Sequence, residues 1–240
     1  MELTFLTYNI HRAIGFDRKY RLDRIIDICK EVGADVVALQ EVDRFVPRSK
    51  REDLAHLISD SLGMNYDLGL NVKLKHGHYG NATFSKLPIK SSENLNITWG
   101  IKKKRGCLVT CLESPAGEVG ILNFHLGLAR MEQVRQKKKI IESRPMLELG
   151  QKPLVLLGDT NDRTSRLSAS FLDSGFRDTS SGSKRNTFPA YAPMLRLDRI
   201  FVNDWWEIKE HHVIRNKQTR TASDHLPVFA RLRLQRQLES

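Results

Sequence analysis

The chain has 240 residues, 40% hydrophobic and 28% charged, which is enough for one large α/β domain or two small ones with a substantial core. No stretch approaches the roughly 20 apolar residues of a membrane span, and no basic segment followed by an apolar one precedes Leu3, so a cytoplasmic location is expected and secretion is not. Lys and Arg outnumber Asp and Glu by 39 to 28, a net charge of +11 that suits nucleic acid, an anionic membrane surface or a phosphorylated metabolite.

In chain order, residues 3–8 form an apolar run that predicts a strand and ends in Thr7-Tyr8-Asn9. Leu22, Ile25, Ile26, Cys29 and Val32 then share one helical face, and Gly33 ends it. A second strand, 36–40, closes on Leu39-Gln40-Glu41. A helix over about 51–62 would turn Leu54, Leu57, Ile58 and Leu62 inward. Strands follow at 82–85, 107–112 and 119–124, then a helix from about 129 to 141 that Pro145 disturbs or ends. Strand 154–157, a short helix at about 166–174, and strands 199–202 and 228–232 complete the pattern. Several strands succeed one another without a helix between them. That favours a mixed α/β (α+β) architecture of two sheets packed face to face over a purely parallel, doubly wound one. No repeat or linker divides residues 1–240, so one domain is expected. Segments 73–80 and 180–186, rich in Gly, Ser and Lys, are expected to be mobile. Cys29, Cys107 and Cys111 show no zinc spacing and read as reduced core thiols.

Polar clusters recur at the ends of the apolar runs. Besides Asn9 and Glu41 they include Gly158-Asp159-Thr160-Asn161, Leu197-Asp198 and Ser223-Asp224-His225. Strand tips on one sheet edge converge in space, so Glu41, Asp159, Asp198 and Asp224 can meet although far apart in sequence. Any one of them alone reads as a turn residue or helix cap. Together with the amides of Asn9 and Asn161 they offer the oxygen ligands that a hard cation such as Mg²⁺ takes. Among eight histidines, His125 closes the run 120–124 and His225 follows Asp224, whereas the others lie in polar or helical surroundings. An imidazole titrates near neutrality and can move protons. Phosphoester hydrolysis needs an oriented water, neutralised phosphoryl oxygens and a proton for the leaving group, and this residue set can supply all three. Arg48, Arg105, Arg130 and Arg199 are candidate phosphate grips, because guanidinium is a planar two-pronged donor. Trp205 and Trp206 read as half core, half exposed. The clusters Lys102-Lys103-Lys104-Arg105 and Arg135-Gln136-Lys137-Lys138-Lys139 are either polyanion contacts or solvated faces.

The ordered set Thr7-Tyr8-Asn9-Ile10, Leu39-Gln40-Glu41-Val42, Tyr79-Gly80-Asn81-Ala82, Phe124-His125-Leu126, Gly158-Asp159-Thr160-Asn161, Leu197-Asp198-Arg199-Ile200-Phe201 and Ser223-Asp224-His225 resembles the endonuclease/exonuclease/phosphatase superfamily, and small bacterial members in particular. The resemblance runs from about residue 3 to residue 233. It implies a four-layer α/β/β/α sandwich of the DNase I type and dependence on Mg²⁺ or Mn²⁺. By motif, Glu41 would be the principal metal ligand with Asn9 beside it and Asp224 completing the set. Asp159 would orient or deprotonate the attacking water, and Asn161 would hold a phosphoryl oxygen or the nucleophile. Asp198 would orient His225, which would contact the phosphate, and His125 would be the general acid on the leaving side. Asn81, with Arg48, Arg105 and Arg199, would bind substrate. Thr160 stands where the family usually has Phe or Leu, as in the tyrosyl-DNA phosphodiesterase 2 branch. The tyrosine that abasic endonucleases carry in the following helix is absent, its nearest position being Val134.

The reading is therefore a metal-dependent phosphodiesterase acting on nucleic acid. The alternative within the enzyme class is a hydrolase of phospholipid or inositol phosphate headgroups, disfavoured mildly by a 27.6 kDa chain with little room for added membrane elements. A non-catalytic phosphate-binding protein is disfavoured because every central polar position keeps a chemically competent residue.

Overall fold

A computed structural model describes residues 1–180 and 186–235. The predicted segment 180–186 lies almost wholly outside the described residues. Two six-stranded sheets lie face to face. The first has the order β11 (Trp206–Val213), β12 (Val228–Leu234), β1 (Glu2–Asn9), β2 (Val36–Arg44), β4 (His78–Ser85), β3 (Asn65–Lys73). The second runs β5 (Ile89–Asn96), β6 (Gly106–Ser114), β7 (Gly117–His125), β8 (Leu154–Asp159), β10 (Asp198–Val202), β9 (Arg177–Asp178). In each sheet one described pair is parallel, β1 with β2 and β7 with β8, and helices make both crossovers. The rest of each sheet is antiparallel, so both are mixed.

Three apolar cores separate four layers. Helices α1 (Leu22–Val32) and α2 (Leu54–Leu62) cover the outer face of the first sheet through Ile25, Ile28, Leu54 and Ile58 against Leu6, Tyr8, Leu39 and Phe84. Helices α3 (Arg130–Ile141), α4 (Arg144–Leu149) and α5 (Arg166–Leu172) cover the second sheet with Ile140, Met146, Leu149 and Phe171 against Leu122, Phe124, Leu156 and Phe201. Between the sheets lie Leu3, Phe5, Val36, Ala38, Ile121, Val155, Leu157, Ile200 and Ala230. Helix α1 ends on Gly33 at φ 62, and α2 starts on Asp53, whose side chain accepts from the His56 N–H. Pro145 does not end α3. It sits in the first turn of α4, where a missing N–H costs nothing, while Ser143 caps that helix. The Lys-rich segment after β3 narrows to a hairpin tip at 74–77, because 78–80 already pair with β2 and β3.

Trp206 is fully buried with its ring 5.8 Å from Phe5, while Trp205 is half-buried. All three cysteines are buried and unpaired, and burial pushes the Cys29 thiol up to about 12. No helix among the described residues is long and apolar enough to cross a membrane.

Candidate active site

The period-2 alternation of the strands builds the site. On β1, Leu3 and Phe5 point between the sheets; two and four residues further, Thr7 and Asn9 continue the same face. On β7 the inward series runs Val119, Ile121, Asn123, His125, on β8 Val155, Leu157, Asp159, and on β10 Val202, Ile200, Asp198. Register then aligns the polar ends. His125 pairs with Asp159 across the parallel β7–β8 edge, and Asp159 with Asp198 across β8–β10. The same inward face that buries valine and leucine thus delivers an imidazole and two carboxylates, side by side, at one end of the sandwich.

Between the apolar layer and this end lies a buried amide layer. Gln40 Nε2 donates to Thr7 Oγ1 (3.1 Å) and to Asn123 Oδ1 (2.9 Å), and Asn123 Nδ2 donates to Leu39 O (3.2 Å) and Ala82 O (2.9 Å). These bonds tie the sheets together directly beneath the site. Asn81 belongs here as well. Its Nδ2 donates to Gly106 O at 3.0 Å and Asn123 O at 3.1 Å, so both its protons are committed. Asn81 also lines the small cleft with Glu41 and His125, where a substrate contact would use its acceptor oxygen.

Asp159 is the hub. Its Oδ2 accepts from Asn9 Nδ2 at 3.0 Å and faces His125 Nε2 at 3.4 Å and His225 Nε2 at 3.7 Å. Its Oδ1 accepts the Asn161 N–H at 2.8 Å. Burial, partly opposed by His225 and reinforced by Asp198, pushes the Asp159 carboxyl up to about 6. Gly158 makes the approach possible, since at φ 145 a Cβ there would stand 1.9 Å from Phe124 O. Asn161 adopts φ 51 and its Nδ2 donates to Leu126 O at 2.9 Å. Thr160, the departure from Phe or Leu, uses its hydroxyl to donate to Leu197 O at 2.7 Å, holding the Asp159 turn to the strand that carries Asp198.

His225 is oriented by Asp198, with Nδ1 2.8 Å from Oδ2, and its ring lies 4.9 Å from that of Phe188. Burial depresses its pKa, but Asp198 and then Asp159 outweigh that and push it up to about 10, so the ring is a cation at neutral pH. His125 goes the other way. Burial, then Arg105 and His225, hold its pKa well below the usual value. In the free protein it is the neutral ring, and acting as a general acid requires an anionic substrate beside it to raise that value.

Asp159, Asp198 and His225 bring one atom each within 4.8 Å of one another. Their mutual hydrogen bond makes this group a proton network more than a cation cage. Glu41 fits a cation better. It is the extra residue of a β-bulge between Gln40 and Val42, at φ 59, so its carboxylate leaves the sheet alternation. Its Oε2 is buried without a hydrogen-bond partner and lies 3.3 Å from Arg12 Nε. Arg12 itself stands in a run of three left-handed residues, His11, Arg12 and Ala13 at φ 45, 61 and 57, a strain of the kind kept at functional sites. Asn9 Oδ1, which accepts the His11 N–H at 3.1 Å, keeps a second lone pair. Asp224 stands apart from the tight group; its Oδ1 is 3.4 Å from Ser223 Oγ.

The arginines divide. Arg105 is nearly buried and lines a small cleft with Glu41, Tyr79 and His125. Arg48 is held by both oxygens of buried Asp43, at 2.8 and 2.7 Å, with its guanidinium 5.3 Å from the centre of the Tyr79 ring. Arg199 is 2% exposed and bonded to Asp178 (3.1 Å) and Ser165 (2.8 Å). The expectation that Arg199 binds substrate is therefore corrected: as the neighbour of Asp198 it points to the opposite face. Arg12, Phe188 and the Gln40–Asn123 pair were missed in the sequence. Only the last carried a signal, polar residues at inward positions of apolar strands.

Residues 6–225 match the Endonuclease/Exonuclease/phosphatase family. The uncharacterized protein YbhP of Escherichia coli is 30% identical over 244 aligned positions, covering 95% of both chains. The mannosyl-6-phosphatase Bt3783 of Bacteroides thetaiotaomicron superposes with a TM-score of 0.77 at 22% identity, over 97% of this chain and all of that one. A Danio rerio TDP2 humanized by 14 mutations gives 0.73 at 18%, over 97% and 99%. The chain belongs to the endonuclease/exonuclease/phosphatase family, whose members are phosphoester hydrolases.

Proposed function

We propose that this chain is a Mg²⁺- or Mn²⁺-dependent phosphodiesterase that cleaves nucleic-acid phosphodiester bonds by attack of water. The observation that carries the reading is Asp159: one carboxylate oxygen faces an amide and two imidazoles of opposite charge preference. With its pKa near 6, Asp159 is a base at neutral pH and can take a proton from a water brought against it with the substrate. His225, held charged by Asp198, donates to a phosphoryl oxygen and balances the charge that grows there. Asn161, clamped through Leu126 and Asp159, presents its side-chain oxygen to the nucleophile. His125, next to Arg105, meets the leaving oxygen once the substrate phosphate offsets the guanidinium.

Glu41, Asn9 and Asp224 are the residues that would hold the cation, an all-oxygen set suited to Mg²⁺ or Mn²⁺. When bound, the cation neutralises phosphoryl charge and acidifies a water. A nucleic-acid substrate is supported by the net charge of +11 and by the cationic rim, where Lys103 Nζ and Arg48 each lie 5.3 Å from the Tyr79 ring centre beside Glu41 and Arg105.

The test is a screen of wild type and Asp159→Asn with Mg²⁺, Mn²⁺ or EDTA. Its substrates are plasmid DNA, abasic and nicked duplexes, single strands, 5′-phosphotyrosyl oligonucleotides, sugar phosphates and phosphoinositides. Metal-dependent cleavage of a nucleic acid that Asp159→Asn abolishes is the expected result. Turnover confined to sugar phosphates or phosphoinositides would overturn the substrate class, and turnover in EDTA would overturn the metal.

A further inference from the structure

A second feature lies outside the catalytic constellation. Phe16 and Tyr191 are both exposed, at 58% and 47%, and their rings meet at 4.8 Å with a 37° tilt. They line a groove of about 460 Å³ together with Arg215, Lys217, Arg220 and Thr221. The groove is built by three chain segments bonded to one another. The Phe16 N–H donates to Thr221 O at 3.0 Å, and Arg220 Nη2 donates to Tyr191 O at 2.9 Å. Gly15 allows that approach, for a Cβ there would stand 2.3 Å from Thr221 O. Three cations, Arg215, Lys217 and Arg220, line the groove with no carboxylate in its lining among the described residues.

The groove adjoins the site. The Ala190 N–H donates to Asp224 O at 2.7 Å, and Phe188, three residues before Tyr191, packs on His225. Tyr79, with Arg48 and Lys103 over its ring, lies on β4, whereas Arg215, Lys217 and Arg220 of this groove lie on the chain that leads into β12. In the first sheet β12 and β4 lie on opposite sides of the β1–β2 pair that carries Asn9 and Glu41. A chain-like anion crossing the site therefore meets cations and an aromatic ring at both ends.

We propose that the Phe16–Tyr191 groove is a stacking subsite for the base of a nucleotide, with Arg215, Lys217 and Arg220 gripping the adjoining phosphate. Exposed rings take any base by their faces, and guanidinium and ammonium neutralise the backbone beside them. A concave aromatic pair with cations beside it suits a base and its phosphate better than a lipid surface, into which apolar side chains must protrude. The assignment deepens the phosphodiesterase reading and rests on it only for the claim that the bound nucleotide flanks the scissile bond.

The test is equilibrium binding in EDTA, where turnover plays no part. A fluorescein-labelled deoxyadenylate hexamer is followed by anisotropy, with AMP as competitor. Replacing both rings (Phe16→Ala with Tyr191→Ala) should weaken hexamer binding by at least about fivefold, since stacking a single base is worth that much or more. Tyr191→Phe, which keeps the ring, should bind as wild type does. Arg215→Gln with Lys217→Gln should flatten the salt dependence by about 1.4 in log–log slope, at roughly 0.7 for each single-strand phosphate contact. Competition by AMP would show that a free nucleotide suffices, and its failure that a strand is needed; both support the subsite. A double ring variant that melts like wild type and binds the hexamer equally well would overturn it. So would ring-dependent retention on phosphatidylserine vesicles with hexamer binding unchanged. Ring-dependent binding by a protein that hydrolyses nothing with Mn²⁺ would sink the enzymatic reading and leave the subsite standing. Hydrolysis with ring-independent binding would do the reverse.

Discussion

His225 takes its orienting carboxylate from Asp198, 27 residues upstream on β10, and not from the adjoining Asp224; Nδ1 lies 2.8 Å from Asp198 Oδ2. Two residues adjacent in sequence thus serve different parts of the site. The chain bends at Asp224 and His225, between the short helix ending at Ala222 and β12, so the two side chains need not share a face. His225 faces the β8–β10 edge, where Asp198 and Asp159 meet it, and Asp224 makes no hydrogen bond to it.

Asp198→Asn tests that relationship. In the folded protein Asp198 and Asp159 outweigh burial and push the His225 pKa up from its ordinary 6.5 to about 10. A raised folded pKa contributes stability that is fully present below about 6.5 and lost as pH rises through about 10. Without the Asp198 charge, the His225 NMR titration should move down, and the stability decline between neutral pH and 10 should shrink. Turnover should fall by roughly 10²- to 10⁴-fold, as when an oriented proton-transfer group loses its partner. An unshifted His225 titration would show that Asp198 does not set its charge.

Asp159→Asn probes the proposed base. Burial places the carboxyl near 6, so the free enzyme's rate should fall as pH drops through about 6 and the base becomes protonated. A cation seated beside it lowers that value, so kcat/KM measured with saturating Mn²⁺ should show its acid limb at or below 6. The asparagine variant should lose the limb and about 10²- to 10⁴-fold in rate. A variant of near-wild-type turnover would remove Asp159 from the chemistry.

What the sequence revealed and what it hid both follow from burial. Strands buried on both faces, such as β1, β2, β7 and β8, are continuous apolar runs, and each candidate residue at their ends could be read there. The missed strands β3, β5, β9 and β11 are the four edge strands of the two sheets. In β5, Lys90 to Asn94 is wholly exposed, so no apolar pattern marks it and backbone pairing to β6 alone makes it a strand. Arg199 shows the opposite failure. Its parity relative to Ile200 and Asp198 was available and places it away from the cleft, but arginine chemistry suggested a phosphate grip. The Glu41 bulge and the left-handed run at Arg12 had no sequence signal, since neither Glu nor Arg favours positive φ.

Glu41 and Arg12 give a metal-binding prediction with its own readout. The Arg12 guanidinium, 3.3 Å from Glu41 Oε2, places a positive charge beside the oxygen that would hold the cation. Glu41→Gln should weaken Mn²⁺ binding by at least about tenfold in calorimetry. Arg12→Ala should leave it equal or tighter, because a competing positive charge is removed. Weaker Mn²⁺ binding in Arg12→Ala would mean that the arginine positions Glu41 for the cation instead of competing for it.

The last prediction concerns the amide layer that sets the distance between the sheets. Asn123 donates to Leu39 O and Ala82 O on the first sheet and accepts from Gln40 at 2.9 Å. Asn123→Ala removes all three contacts and leaves a small void. Asn123→Leu fills the space but takes the amide donor from Leu39 O and Ala82 O and leaves Gln40 only its bonds to Thr7 and Ala38. Each should cost about 2–4 kcal/mol in urea denaturation, the sum of a buried unsatisfied group and imperfect packing. The leucine variant separates the two terms. If hydrogen bonding holds the sheets in register, it should be no more stable than the alanine variant despite its greater apolar volume. It should also lower turnover, because His125 follows two residues later on the same inward face. A leucine variant as stable as wild type would show that filling the gap, and not the amide bridge, is what fixes the spacing on which Asp159, His125 and Asn9 depend.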